Sequence, residues 1–130
     1  MVFVDFAQKD GVLSLSVDGH ALTGPEGHDL VCSAVSALSY TLGYGLRKMH
    51  KDGKMIGDVC VSHEPGASVL TCKPKPEYLK EARIEYGLVL HGFFGLHLTH
   101  PNAVTIASIE DEEEERIISV EVKETEKKEE

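Results

Sequence analysis

A histidine and a cysteine in the first quarter of the chain have the side-chain types of a catalytic base and its nucleophile. His20 follows a strand-like apolar segment, and Cys32 comes shortly after a glycine-rich loop. An imidazole within hydrogen-bond reach can take the proton of a thiol, and the resulting thiolate is the attacking species. The two residues are close enough in sequence for the loop between them to fold back and bring their side chains together. The two residues are therefore candidates for a Cys-His dyad.

The residues around Cys32 predict a helix whose N-terminus supports the thiolate. Asp29 has the short acceptor side chain favoured at a helix N-cap, and an apolar stripe follows it over residues 29–50. Cys32 then falls in the first turn, beside free backbone N–H groups and the positive end of the helix dipole. The alternative from residue types alone is a structural cysteine at the start of a core helix, since free cysteine is commonly buried.

The loop between the two residues and the helix beyond them supply the supporting candidates. Gly19, Gly24 and Gly27 predict a flexible flap that closes on a peptide and brings His20 to Cys32; alternatively, these glycines serve ordinary turns. Ser36 lies one helical turn beyond the cysteine. Its hydroxyl either lines the site or hydrogen-bonds a carbonyl of the preceding turn.

The motif formed by these residues resembles the signature of a known family. It consists of Gly19-His20-Ala21, a glycine-containing loop and residues 29–38, with the sequence DLVCSAVSAL. This motif is similar to that of the ribosomal-processing cysteine proteases, the Prp family, and the resemblance covers most of residues 1–107. Residues 92–106 resemble the family's second helix followed by its closing strand.

The resemblance implies a cysteine endopeptidase in which His20 is the general base and Cys32 the nucleophile. Asp29 and Ser36 match two further polar positions of the family's site. Members of the family remove an N-terminal extension from ribosomal protein L27, and related copies occur near phage capsid genes. The resemblance therefore implies a peptide substrate with bulky apolar residues, from the L27 precursor or a phage protein. It also implies a homodimer.

The composition of the whole chain restricts the class of protein. With 130 residues the chain predicts one domain, and no targeting peptide or membrane span is evident. Three cysteines without CxxC spacing indicate a reducing cytoplasm rather than a disulfide scaffold. The formal net charge of −9 argues against nucleic-acid binding, which needs clustered Lys and Arg. We therefore expect a cytoplasmic protein that binds neither nucleic acid nor membrane.

Apolar periodicity predicts a two-layer α+β fold of order ββαββαβ, with an antiparallel or mixed sheet and two helices packed on one face. Asp10-Gly11 is a strong turn signal for the first hairpin. In the first helix, Gly43 and Gly45 favour close packing against the second. The predicted elements are strands 2–7 and 12–17, helix 29–50, strands 55–62 and 67–72, helix 77–99 and strand 103–107.

The C-terminal part of the chain differs in composition from the rest. We divide the chain into a protease-like domain, residues 1–109, and an acidic extension, residues 110–130. The acidic run would attract a basic protein substrate or serve as a solvated end. Residues 117–122 alternate between apolar and polar side chains, a pattern compatible with an additional C-terminal edge strand.

The remaining candidate ligands do not predict a metal site. Cys60 and Cys72 match no ligand spacing, and His97 and His100 have no third ligand near them in sequence. We therefore expect no metal and no cofactor. Two other functions stay open at this point. One is a noncatalytic binding module of ribosome or capsid assembly with the same fold, and the other is a thiol enzyme such as an acyl transferase or a thioesterase.

Overall fold

A computed structural model describes residues 1–25 and 29–118 of the chain. Within these residues, a five-stranded mixed sheet and two long helices form the α+β architecture that the sequence predicts. The elements are β1 (Val2–Lys9), β2 (Val12–Gly19), α1 (Leu30–Lys51), β3 (Cys60–Glu64), β4 (Ala67–Cys72), α2 (Leu79–Thr99) and β5 (Val104–Asp111). One turn of 3-10 helix, Pro76–Tyr78, precedes α2.

The strands follow the order β3-β4-β2-β1-β5 across the sheet. All neighbouring pairs are antiparallel except β1 and β5, which run parallel. Asp10 and Gly11 connect β1 to β2 and both have positive φ, at 53° and 77°. This is the backbone of a type I′ turn, which explains why the Asp-Gly pair predicted the hairpin correctly.

The core lies between one face of the sheet and the two helices. Alternate residues of β1 and β2 point into it, as expected for strands with one covered face. On the opposite face Phe3 keeps 47% of its surface exposed. The largest fully buried side chains are Phe6, Leu13, Leu15, Leu42, Leu46, Leu70, Tyr86, Leu90 and Phe93.

Glycines let the helices approach their neighbours closely, but not all in the predicted way. A Cβ on Gly45 would lie 2.4 Å from Oε1 of Glu85 on α2, in line with the predicted helix contact. The prediction for Gly43 was wrong, since its Cβ would meet Val61 and His63 of β3. Gly43 therefore allows α1 to pack closely against β3 at the edge of the sheet.

Two strand boundaries differ from the predicted ones by more than two residues. The third strand begins at Cys60 instead of residue 55, because Gly57 turns the chain with a φ of 70° and Met55 makes only an isolated bridge to Pro74. The last strand continues to Asp111 instead of ending at residue 107, because it pairs with β1 along nearly its whole length.

Two of the first acidic residues bind the rest of the fold through specific contacts. The Glu112 carboxylate accepts hydrogen bonds from the backbone N–H groups of Asp10 (2.7 Å) and Gly11 (3.0 Å), and Asp111 forms an ion pair with Arg83 at 2.9 Å. Ile118 is buried. The strand β5 therefore runs across residue 110, and the residues that follow it up to Ile118 contact the rest of the fold. The predicted C-terminal edge strand falls mainly on residues 119–122, which lie outside the described residues.

Candidate active site

Cys32 lies in the first turn of α1, where the sequence predicts it. Asp29 is the N-cap, and its Oδ1 accepts a hydrogen bond from the Cys32 backbone N–H at 3.0 Å. The side chain of Cys32 is partly exposed, and its sulfur accepts a hydrogen bond from the backbone N–H of Ala21 at 3.4 Å. The sulfur therefore faces the positive end of the helix and the segment that directly follows His20.

The Asp29 carboxylate joins the loop to the helix. In addition to the cap, its oxygens accept hydrogen bonds from the backbone N–H groups of Thr23 (2.7 Å) and Gly24 (3.1 Å) and from the Thr23 hydroxyl. These bonds, first that of the Thr23 hydroxyl and then that of Cys32, hold the pKa of Asp29 well below its usual range although burial opposes them. Asp29 therefore stays ionised and fixes the loop beside the sulfur.

His20 is exposed directly after the end of β2, and its ring lies against the turn between β3 and β4. The backbone N–H of Gly19 donates to the carbonyl oxygen of Gly66 at 2.8 Å. A Cβ on Gly66 would lie 2.7 Å from Nε2 of His20, and Gly66 has a φ of 74°. Only glycine fits this position without displacing the imidazole.

The structure brings the residue after His20, but not the imidazole itself, into contact with the Cys32 sulfur. Within the described parts of the chain, no hydrogen bond joins the imidazole of His20 to the Cys32 sulfur, whereas Ala21 contacts the sulfur directly. Catalytic hydrogen bonds are often long or misaligned before a substrate binds. Through Ala21, the backbone next to His20 therefore lies at the Cys32 sulfur.

An open cleft of about 430 Å³ lies beside Cys32 and follows one face of α1. Ser36 is exposed in this cleft, and among the described residues its hydroxyl makes no hydrogen bond to the preceding turn. The cleft therefore leaves room for a peptide beside Cys32. Its lining residues are Asp29, Cys32, Ser33, Ser36, Ala37 and Tyr40.

The predicted flap is only partly described. Gly19 has a φ of 107°, and a Cβ there would lie 2.1 Å from the carbonyl oxygen of Met1. Gly24 is held to Asp29 by its backbone N–H. Gly27 lies outside the described residues. The described part of the loop is thus hydrogen-bonded at Thr23 and Gly24, next to the start of the helix.

A comparison with protein families identifies the class of the protein. A family model described as cysteine protease Prp matches residues 1–118, which is most of the chain. The chain belongs to the Prp family. It is therefore a cysteine protease, as the motif around Cys32 predicts. No curated protein sequence matches it.

Solved structures share the fold of this Prp-family protease. The ribosomal processing protease Prp of S. aureus with a covalently linked product peptide has 19% identity and a TM-score of 0.61, covering 86% of this chain and 100% of that one. The protein SMU.848 of Streptococcus mutans has 23% identity and a TM-score of 0.60, covering 86% and 96%. The S. aureus protease with a substrate peptide has 19% identity and a TM-score of 0.58, covering 83% and 99%.

Three residues of this Prp-family protease contact the site without having been predicted from the sequence. Thr23 binds Asp29, Gly66 contacts His20, and Tyr40 ends the cleft. The Pro65-Gly66 pair indicates a turn, but nothing in the sequence places that turn against His20. Tyr40 could have been found from its position two helical turns beyond Cys32.

The other cysteines occupy different environments in this Prp-family protease. Cys60 is exposed on β3, whereas Cys72 is buried, and desolvation raises the pKa of its thiol to about 11. Neither lines the cleft beside Cys32. Among the described residues, no group of three or more His, Cys, Asp or Glu side chains lies close enough together to hold a metal ion.

Proposed function

We propose that this protease is an endopeptidase in which Cys32 is the nucleophile and His20 the general base. The observation that carries the proposal is the position of the sulfur. It lies at the N-terminus of α1, in an open cleft, and accepts a hydrogen bond from the residue that follows His20. The helix dipole and this N–H group both favour a negative charge on the sulfur.

The reaction follows from these two groups. His20 takes the proton of the Cys32 thiol, and the thiolate attacks the carbonyl carbon of the scissile bond. The tetrahedral intermediate collapses when the protonated imidazole gives its proton to the leaving amine, and a thioester remains on Cys32. His20 then takes a proton from a water molecule that attacks the thioester. The new N-terminus leaves first and the carboxylate second, and the thiol is restored.

The backbone at the start of α1 determines which N–H groups are available to an oxyanion. The N–H of Cys32 is bound by the side chain of Asp29, and that of Ser33 by the carbonyl oxygen of Asp29 at 3.0 Å. Ala21 directs its N–H towards the sulfur, the atom to which the acyl group becomes attached. We propose this N–H as a donor to the oxyanion. Asp29 then acts by positioning Ala21 and Cys32 relative to each other.

The proposed substrate is the N-terminal extension of the ribosomal protein L27 precursor. Two observations support it. The S. aureus relative with the same fold is a ribosomal processing protease crystallised with substrate and product peptides, and the cleft along α1 is open enough for an extended chain. The net charge of −9 suits a basic protein substrate better than a nucleic acid. Ser36 would contact the peptide within the cleft.

Cleavage of a peptide that spans the processing site of an L27 precursor tests the proposal. We expect the wild-type protein and Cys60→Ala to cleave it with equal kcat/KM, because Cys60 is an exposed cysteine outside the cleft. Cys32→Ala should abolish cleavage, and His20→Ala should lower kcat by about 10²-fold or more. Cleavage that survives Cys32→Ala would contradict the dyad. Cleavage of a phage capsid peptide in place of L27 would reassign the substrate alone.

We also propose that the protein forms a homodimer in the cytoplasm. The outer face of α2 exposes Ile84 and Leu88 along a depression of about 590 Å³ that includes none of the proposed site residues. Light scattering should give twice the monomer mass, and Leu88→Glu should reduce the measured mass to that of one monomer if this face is the interface.

The proposed cytoplasmic location is compatible with the state of the cysteines. The described cysteines are all free, as is usual in a reducing compartment. None of the described helices is both long and apolar enough to span a membrane.

A further inference from the structure

Tyr40 has an unusual environment for an exposed aromatic residue. It keeps 58% of its surface exposed, yet its ring packs on His63 of β3, with 4.4 Å between ring centroids and an interplanar angle of 56°. An aromatic contact of this kind restricts the orientation of the exposed ring. Tyr40 therefore presents a fixed apolar surface at the end of the cleft that starts at Cys32.

His63 is itself held in place and uncharged. Its Nδ1 lies 3.3 Å from the Ser68 hydroxyl, and a Cβ on Gly43 would lie only 2.9 Å from its Nε2. Burial, with the positive charge of Arg47 acting in the same direction, lowers the pKa of His63. The ring is therefore neutral at pH 7. It supports Tyr40 without adding a charge to the cleft.

The part of the cleft between Cys32 and Tyr40 is lined by small side chains. Ser33, Ser36 and Ala37 occupy it, so a peptide backbone has room to lie along this face of α1. The eight residues from Cys32 to Tyr40 correspond to a distance of about 12 Å along the helix axis. An extended peptide advances about 3.3 Å per residue. A side chain that reaches Tyr40 thus belongs to the third or fourth residue from the scissile bond.

We infer that Tyr40, positioned by His63, forms a subsite for a bulky apolar side chain of the peptide substrate, three or four residues from the bond that is cleaved. This inference rests on the proposed endopeptidase function and adds a residue that determines specificity. Tyr40 contacts the substrate side chain directly. His63 acts only through the orientation of the tyrosine ring.

Pairing enzyme variants with peptide variants tests the subsite. The peptides are the L27 precursor peptide and four single alanine variants, at the third and fourth residues on either side of the cleaved bond. We expect Tyr40→Ala to lower kcat/KM by about three- to tenfold on the parent peptide, mainly through KM. The loss should disappear on one of the alanine peptides. Tyr40→Phe should retain full activity because it keeps the ring.

Tyr44→Ala provides the matched control. Tyr44 lies one turn further along α1, is 78% exposed and does not line the cleft. We expect it to leave kcat/KM unchanged on every peptide. His63→Ala should lower kcat/KM on the same peptides as Tyr40→Ala, and by a smaller factor. If Tyr40→Ala lowered kcat/KM equally on all five peptides, or lowered it on none of them, the subsite would be overturned.

Binding separates this inference from the proposed function. Fluorescence anisotropy of the same peptides on Cys32→Ala protein, with and without Tyr40→Ala, measures the subsite without turnover. A wild-type protein that does not cleave, combined with peptide-dependent loss of binding in the Tyr40 variant, would remove the proposed function and support the subsite. Normal cleavage by the wild-type protein, combined with a loss of binding in the Tyr40 variant that is the same for every peptide, would support the proposed function and overturn the subsite. Failure of the Cys32→Ala protein to bind any of the peptides would overturn the subsite.

Discussion

At the level of single residues, Gly66 in the turn between β3 and β4 contacts the imidazole of His20. The cap at Asp29 and the first-turn position of Cys32 were predicted because a helix N-cap leaves a local signal in the sequence. The roles of His20 and Cys32 were predicted from the resemblance to the Prp family. Gly66 was not predicted as part of the site, because its role depends on a contact with His20 that is distant in sequence. Its substitution tests whether that contact positions the proposed base.

Two glycines of the chain have the same backbone strain. Gly66 and Gly53 both have a φ of 74°, but a Cβ on Gly53 meets nothing within 4 Å, whereas one on Gly66 meets the His20 ring. We expect each alanine variant to lose about 1 kcal/mol in the free energy of unfolding. Only Gly66→Ala should also lower kcat, by about tenfold to a hundredfold, because the imidazole is displaced.

Urea denaturation and peptide cleavage measure the two effects separately. Gly53→Ala serves as the control for backbone strain alone. Equal kcat values for the two variants would mean that contact with Gly66 does not position His20.

At the level of elements, helices and hairpins with strong local signals were predicted well. The helix α1 follows from its cap and apolar stripe, and the first hairpin from Asp10-Gly11. The limits of β3 and β5 were not predictable in the same way. They depend on a positive φ at Gly57 and on parallel pairing with β1, and neither leaves a periodic pattern in the sequence.

The packing of the two helices gives a second prediction. Gly95 of α2 is exposed with nothing within 4 Å of an added Cβ, whereas a Cβ on Gly92 would lie 2.5 Å from Cδ2 of Leu38. Gly95→Ala should raise the free energy of unfolding by about 0.5–1 kcal/mol through helix propensity alone. Gly92→Ala gains the same propensity but must move Leu38, so we expect a smaller gain or a loss. Equal gains in urea denaturation would show that Gly92 does not determine the distance between the helices.

At the level of the whole molecule, an ion pair connects the acidic run, through Asp111 at the end of β5, to the helix α2. Arg83 of α2 donates to both carboxylate oxygens of Asp111, at 2.9 and 3.0 Å, and also to Gln8 of β1. The sequence could not predict this, because a run of acidic residues usually indicates a solvated surface. The side chain of Asp111 is only 2% exposed. This pair therefore joins α2, β1 and β5.

The pH dependence of stability tests this connection. Burial alone would raise the pKa of Asp111, but hydrogen bonds from Arg83 and from the backbone N–H groups of Glu113 and Ile117 outweigh it and lower the pKa. A carboxyl group with a lowered pKa in the folded state stabilises the fold above its unfolded pKa, about 4, and loses this contribution as the pH falls through the folded value.

Asp111→Asn should therefore lower the free energy of unfolding by about 3 kcal/mol at pH 7, because Arg83 stays buried without its charge partner. The difference from wild type should shrink as the pH falls below about 4. Asp58→Asn, at a fully exposed carboxylate, is the matched control and should change little at either pH. If the free energy of unfolding of Asp111→Asn stayed below that of wild type by the same amount from pH 7 to pH 3, the charge of Asp111 would not have this role.

Activation of the Cys32 thiol as a nucleophile is the central feature of the proposed function. The most direct test is the rate at which iodoacetamide alkylates each cysteine of the folded protein at pH 7, resolved by mass spectrometry. Cys60 is more exposed than Cys32, so solvent access alone would make Cys60 react faster. We predict that Cys32 reacts several-fold faster than Cys60, because the helix N-terminus and the Ala21 N–H favour its thiolate. A Cys32 that reacts no faster than Cys60 would contradict this activation.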